Sequence, residues 1–139
     1  MCYNNYLDDN GELRPQYREQ AIAVLEKILK AFHNKEFSNV RAIVDESEID
    51  DLEDFLAEFM QGTLELNDFE TIDEYGAECF FKPQYEYSQL SIELYNNKSG
   101  FYLEYEMTSS GELVDMVLQL KFMFTANGLK IIFENVDPQ

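Results

Sequence analysis

Histidine occurs once, cysteine twice and basic side chains ten times in these 139 residues. Each shortage excludes something. With His33 as the single imidazole, most zinc and non-haem iron sites lose their usual ligand set. Cys2 and Cys79 have no ligand-like spacing, and two cysteines are too few for a disulfide framework, although a bond between them stays open. Cys79 lies in an apolar stretch and reads as a small buried hydrophobe. No apolar run approaches the ~18 residues of a membrane helix. The opening from Met1 to Gly11 is polar and acidic, without the basic region and apolar run of a signal peptide, so the expected location is the cytoplasm, away from membranes. Serine elbow, phosphate loop, dinucleotide fingerprint and paired-cysteine motif are all missing, and no catalytic residue, cofactor or metal is assigned from the sequence.

The scarcity of cations has its own consequence. Ten Lys and Arg face 28 Asp and Glu, for a formal charge of −18 and a pI near 4.1. This balance opposes binding to nucleic acid or to anionic membrane. A basic protein would instead be attracted, with a faster encounter. The plainer reading is that the acidity serves solubility alone.

What is present is a core. Hydrophobic residues make up 45% of the chain, which predicts a folded domain rather than disorder. From Gln89 to Val136 they alternate with polar residues over four consecutive segments. Leu90, Ile92 and Leu94 alternate with Ser91, Glu93 and Tyr95. Phe101, Leu103, Tyr105 and Met107 alternate with Tyr102, Glu104 and Glu106. Met116, Leu118, Leu120, Phe122 and Phe124 alternate with Asp115, Val117, Gln119, Lys121 and Met123, and Leu129, Ile131 and Phe133 with Lys130, Ile132 and Glu134. A period of two predicts strands with one buried and one wetter face. The turns Asn96–Gly100, Ser109–Gly111 and Ala126–Gly128 contain residues that tolerate positive φ, which predicts a four-strand meander. A further strand is expected from Glu74 to Lys82, closed by Pro83.

Upstream the period changes. Pro15 suits a first helical turn. Tyr17, Ala21, Ile22, Leu25, Ile28, Leu29 and Phe32 form an apolar stripe that ends near His33. A short helix is expected from Phe37 to Val44. A third is expected with Ser47 as N-cap, Asp50 at its third position, a stripe from Ile49 to Met60 and a stop at Gly62. Leu64, Leu66 and Phe69 are expected to pack in the connection to the sheet. Residues 1–13 read as a loose lead-in, and 14–139 as one domain. Asp8-Asp9-Asn10-Gly11 fails as a calcium loop, because Tyr6 and Tyr17 would occupy the first and twelfth positions; a turn is expected there.

The segment Lys35-Glu36-Phe37-Ser38-Asn39-Val40-Arg41-Ala42-Ile43-Val44-Asp45 follows the long amphipathic helix and precedes a third helix and a meander. In pattern and order, from Pro15 to Val136, this resembles the nuclear transport factor two-like superfamily. The resemblance implies an α+β fold of three N-terminal helices packed on a strongly curved antiparallel sheet, with an apolar pocket at the open end of a cone. The superfamily contains isomerases, cyclases, ligand binders, protein-binding modules and bacterial immunity proteins, so the fold alone does not select a function. A small acidic chain without a catalytic dyad is most similar to the immunity proteins, which implies a basic toxin domain as partner. An isomerase- or cyclase-type pocket and a homodimeric structural domain are the alternatives.

The partner-binding candidates follow from composition. Glu93, Tyr95, Tyr102, Glu104, Glu106 and Asp115 are expected on the wet sheet face, where Tyr, Met and Val resemble an interface more than Lys and Glu alone would. Asp50, Asp51 and Asp54 belong to the densest acidic run, from Asp45 to Asp54. That run reads as an acidic patch for a basic partner or simply as a solvated helix start. His33 reads as a helix-terminal histidine, with an acid–base role as the alternative. Asp73, Glu74, Glu78, Tyr85, Glu86 and Tyr87 would contribute to a pocket mouth if the sheet register turned them inward.

Overall fold

The computed structural model describes residues 4–76 and 89–138. In these, three α-helices and five strands form an α+β arrangement with a mixed sheet that does not close on itself. Helix α1 runs Pro15–His33, with Pro15 in its first turn and Lys30 and His33 in its last. A 3₁₀ turn at Phe37–Asn39 leads into α2, Val40–Ile43. Strand β1 is the short segment Glu46–Ser47, and α3 spans Leu52–Leu66. The meander follows as β2 (Leu90–Leu94), β3 (Gly100–Ser109), β4 (Glu112–Thr125) and β5 (Gly128–Pro138). The order across the sheet is β1-β5-β4-β3-β2. The meander is antiparallel throughout, and β1 joins β5 in parallel.

The inner face of the sheet and the helices share one core. Leu25, Ile28, Leu29 and Phe32 of α1, and Leu56, Met60 and Leu64 of α3, cluster with Phe101, Leu103, Leu120, Phe122 and Phe133. The cross-strand pair Phe101 and Phe122 stacks at 4.9 Å between ring centroids. Above it the close approach of strands requires glycine. A Cβ on Gly100 would stand 2.3 Å from the Phe122 carbonyl oxygen, a backbone atom that cannot rotate away. Gly100→Ala is therefore expected to lower stability by about 2 kcal/mol through overpacking, read as a fall in the urea midpoint; an unchanged midpoint would mean that the hairpin shifts freely.

Several local expectations give way to tertiary pairing. Ser47 is not the cap of α3. Asp45 N–H donates to Ile131 O and Glu48 N–H to Phe133 O, both at 2.8 Å, so this backbone is committed to the edge of β5. The Ser47 hydroxyl turns back on Ile49, accepting from its N–H and donating to its carbonyl. Asp51, at φ 51°, takes the cap position without a side-chain cap bond. The acidic residues of the first turn are Glu53 and Asp54, which still lie at the positive end of the helix. Nor does Gly62 stop the helix. Leu64 continues the buried stripe, and Asn67 closes the end by donating from Nδ2 to Thr63 O at 2.8 Å. Leu66, expected to pack, is 85% exposed because it falls on the opposite side of the helix from Leu64.

The segment before α1 is tied down. Tyr6 is buried, stacks on Phe124 at 4.3 Å and donates its hydroxyl to Thr125 O at 2.6 Å. Asp8 Oδ1 accepts from the N–H groups of Asn10 and Glu12, which makes the acidic segment a turn with Gly11 at φ 77°. Of the strand expected at Glu74–Lys82, Glu74 is irregular and residues 75–76 form a turn. Its remainder lies outside the described residues, as do Pro83, Cys2, Cys79, Glu78, Tyr85, Glu86 and Tyr87. The fifth strand of the described sheet is instead β1.

Candidate functional site

The ladder registers decide which polar residues share the outer face. One row runs Glu93, Tyr102, Lys121, Ile132 and Glu46, from β2 across to β1. The next runs Ser91, Glu104, Gln119 and Asn135. Glu106 opposes Val117, and Met123 opposes Lys130. Tyr95 leaves β2 beside this face, with its ring centroid 5.6 Å from that of Tyr102. Five candidates, Glu93, Tyr95, Tyr102, Glu104 and Glu106, are thus brought together.

Hydrogen bonds hold this face in place. The Tyr102 hydroxyl donates to Glu93, and this bond to a carboxylate pushes the phenol up to about 12, so Tyr102 remains a neutral donor at ordinary pH. Gln119 Nε2 donates to Glu104 at 3.2 Å. Gln89 Nε2 donates to Glu106 O at 2.9 Å, which ties the entry to β2 onto β3. The two lysines of the face lie among carboxylates. Lys121 Nζ is 2.7 Å from Glu48 and 3.7 Å from Glu134, and Lys130 Nζ is 2.7 Å from Glu46. The hydrogen bond to Glu48 raises the Lys121 pKa, against a smaller opposing effect of burial. Tyr95 is raised as well, mainly by burial. These pairs are partly exposed and add little to stability. The Lys121 pairs stand beside Tyr95, whose charged neighbours are Lys121, Glu134 and Glu48.

Asp115 does not join the rows. Between Glu106–Val117 and Thr108–Leu113 the β3–β4 register slips, and Asp115 sits in the irregular segment at φ 57°. Asp115 is exposed, as alternation predicts, but the bulge takes it out of the ladder pairing; Val117, expected on the wetter face, pairs with Glu106 and is nonetheless buried.

Asp50, Asp51 and Asp54 also lie apart from the ladder rows. Together with Glu53, Ser47 and Arg41 they line a cleft of about 390 Å³ at the start of α3. Arg41 donates from its guanidinium to Val44 O at 3.1 Å. The acidic run is therefore divided by its local structure: Glu46 and Glu48 reach the sheet-face lysines, Asp45 accepts from the Ile131 N–H, and Asp50, Asp51 and Asp54 line the cleft. No group of three or more His, Cys, Asp or Glu side chains among the described residues is arranged to hold a metal ion.

His33 and Asp73 are structural. The His33 ring bonds to Ile72 O at 2.8 Å through Nδ1, and since a carbonyl only accepts, Nδ1 carries the proton. Asp73 accepts from Thr108 Oγ1, Ser110 N–H and Gly111 N–H, each at 2.9 Å, and its own N–H donates to Thr108 O. It clamps the β3–β4 hairpin. Sequence reasoning placed Asp73 near a pocket mouth and missed this role, because the donors lie 35–38 residues further on.

A second concavity, of about 490 Å³, opens on the outer sheet face between Tyr95, Lys121, Met123 and Glu134. Sequence reasoning placed Tyr95 on this face but gave no sign of the groove, which depends on the β2–β3 turn. No described helix is long and apolar enough to cross a membrane.

Neither a curated protein nor a solved structure matches the chain. A family model described as a domain of unknown function, DUF7668, matches residues 29–139, which takes in the end of α1, α2, α3 and the whole meander. The chain belongs to this family.

Proposed function

We propose that this chain is a non-enzymatic protein-binding module of the nuclear transport factor two-like type, and that it acts as an immunity protein masking a basic toxin domain in the cytoplasm. The observation that carries this reading is the register that collects Tyr95, Tyr102, Met123 and Ile132 on one sheet face with Glu93, Glu104, Glu106 and Glu134. Aromatic and methionine side chains are enriched in interface cores, and surrounding carboxylates select and steer a cationic surface. The chain charge of −18 acts in the same direction over a longer range. Asp50, Asp51 and Asp54 form a rim element that speeds encounter more than it adds affinity.

A pocket enzyme of the same superfamily is less well supported. Phe32, Phe101, Phe122 and Phe133 are fully buried in the layer between helices and sheet, where such a pocket would open. A homodimer through the outer face would bring two acidic surfaces together, at a cost in repulsion.

The test is binding to the basic product of a neighbouring reading frame, followed by calorimetry and stopped-flow at two salt concentrations. Tyr102→Ala is expected to weaken binding at least tenfold through faster dissociation, about 1.4 kcal/mol or more. The triple change Asp50→Asn, Asp51→Asn and Asp54→Asn is expected to slow association at low salt only. Full affinity after Tyr102→Ala, or no affinity for any basic neighbour, would overturn the reading; a doubled mass in light scattering would favour the dimer instead.

A further inference from the structure

The groove beside Tyr95 has a narrower chemistry than the face as a whole. Its walls are the Tyr95 ring and the Met123 side chain, and its charged groups are Lys121 and Glu134, with Glu48 beyond. One lysine against two glutamates leaves the local balance at −1, so an anionic ligand is disfavoured. The two carboxylates also hold Lys121 unequally. Glu48 is in hydrogen-bond contact at 2.7 Å, whereas Glu134 at 3.7 Å is within ion-pairing distance but beyond hydrogen-bonding distance. A second cation, if planar, would therefore find in the groove a carboxylate that Lys121 engages only loosely, next to an aromatic face.

We infer that this groove takes an arginine side chain of a basic protein partner, stacked on Tyr95 and paired with Glu134, and that Lys121 is a resident cation with which it competes. This rests on the reading of the sheet face as a site for a basic protein, and it adds which side chain anchors that protein and where. Arginine fits better than lysine on two grounds. The guanidinium is planar, so it stacks on an aromatic ring while its edge bonds a carboxylate, and it sheds water more readily than an ammonium. Tyr95 remains a neutral ring, its ionisation being opposed mainly by burial. It is also well fixed. Its N–H donates to Gly100 O at 3.0 Å, and its carbonyl accepts from Lys98 N–H at 2.9 Å. These bonds fix the Tyr95 backbone, and its ring packs 5.6 Å from that of Tyr102. Lys121 repels the incoming charge, and this repulsion discriminates against a weakly held cation while allowing one that gains both stacking and a bidentate carboxylate contact.

The experiment uses hexa-arginine and hexa-lysine peptides as probes, titrated into the full chain by calorimetry at low salt. Hexa-arginine is expected to bind about threefold or more tightly than hexa-lysine, the increment of a cation–π contact at a partly exposed site. Tyr95→Leu, which keeps the bulk and removes the π face, should abolish that preference, and Tyr95→Phe should retain it. Glu134→Gln should reduce hexa-arginine binding severalfold. Lys121→Met, close in volume and without charge, should strengthen hexa-arginine binding by about threefold. Equal affinities for the two peptides, a preference that survives Tyr95→Leu, or weaker binding by Lys121→Met would each overturn the inference. The two readings separate cleanly. A basic neighbour that binds through Tyr102 with no response to Tyr95→Leu or Lys121→Met removes the arginine site and leaves the module. An arginine preference in the groove with no basic neighbour bound removes the immunity reading and leaves the groove.

Discussion

Phe122→Ala is expected to cost about 4 kcal/mol of unfolding free energy, which would leave a domain of this size marginal. Phe122 is fully buried in β4, which lies between β3 and β5. It stacks on Phe101 with planes only 6° apart, and Ile131 lies opposite it on β5. Removing the ring withdraws apolar area from the core and leaves a cavity that two pleated neighbours cannot collapse into, because their backbones are fixed by ladder hydrogen bonds on both sides. Urea unfolding followed by circular dichroism measures this directly. Phe122→Leu, which restores much of the volume, should recover more than half of the loss. A Phe122→Ala protein with a wild-type midpoint would show that the stacked pair is not central to the core.

The second large effect is expected at Asp73. Its carboxylate receives two turn N–H groups and one hydroxyl. Ser110 and Gly111 both have positive φ, at 51° and 82°, as a two-residue hairpin loop between strands requires. Successive N–H groups in such a turn point the same way and form a small anion-binding nest, which Asp73 fills from the distant connection after α3. Asp73→Ala leaves the buried Thr108 hydroxyl and the Gly111 N–H without this acceptor, and a loss of about 3 kcal/mol is expected. Asp73→Asn should lose about half as much, since an amide oxygen accepts but the NH₂ group faces other donors. Hydrogen exchange at Ser110 and Gly111 should rise in both variants. An unchanged midpoint in Asp73→Ala would mean that water replaces the carboxylate at no cost.

Helix α1 was legible almost to the residue, because Pro15 and the stripe through Leu25, Ile28, Leu29 and Phe32 are local features read by local physics. So were the four meander strands, whose two-residue period and glycine-bearing turns agree with each other. The start of α3 was not. Ser47 has every local property of an N-cap, yet the carbonyls of Ile131 and Phe133 compete for the backbone on either side of it, and sheet pairing wins. Asp115 shows the same limit inside a strand. One bulge takes three residues out of the ladder pairing, and nothing in Val114-Asp115-Met116 announces it.

The candidate site divides along the same line. Composition alone marked Glu93, Tyr95, Tyr102, Glu104 and Glu106, because alternation assigns a face once the strands are known, and these five share one. The partners of that face were not legible. Lys121 meets Glu48 across 73 residues, and the groove exists only where the β2–β3 turn meets Lys121 and Met123 of β4 and Glu134 of β5. The sequence by itself determined the helical segments, the meander, the side of each strand that faces the core and the acidic character of the whole. Only the tertiary structure decided which carboxylates stand beside which cations, where the ladder slips, and that Asp73 holds a hairpin. Periodicity and composition are properties of neighbouring residues, whereas hydrogen bonds and ion pairs between distant segments are settled by the energy of the assembled chain.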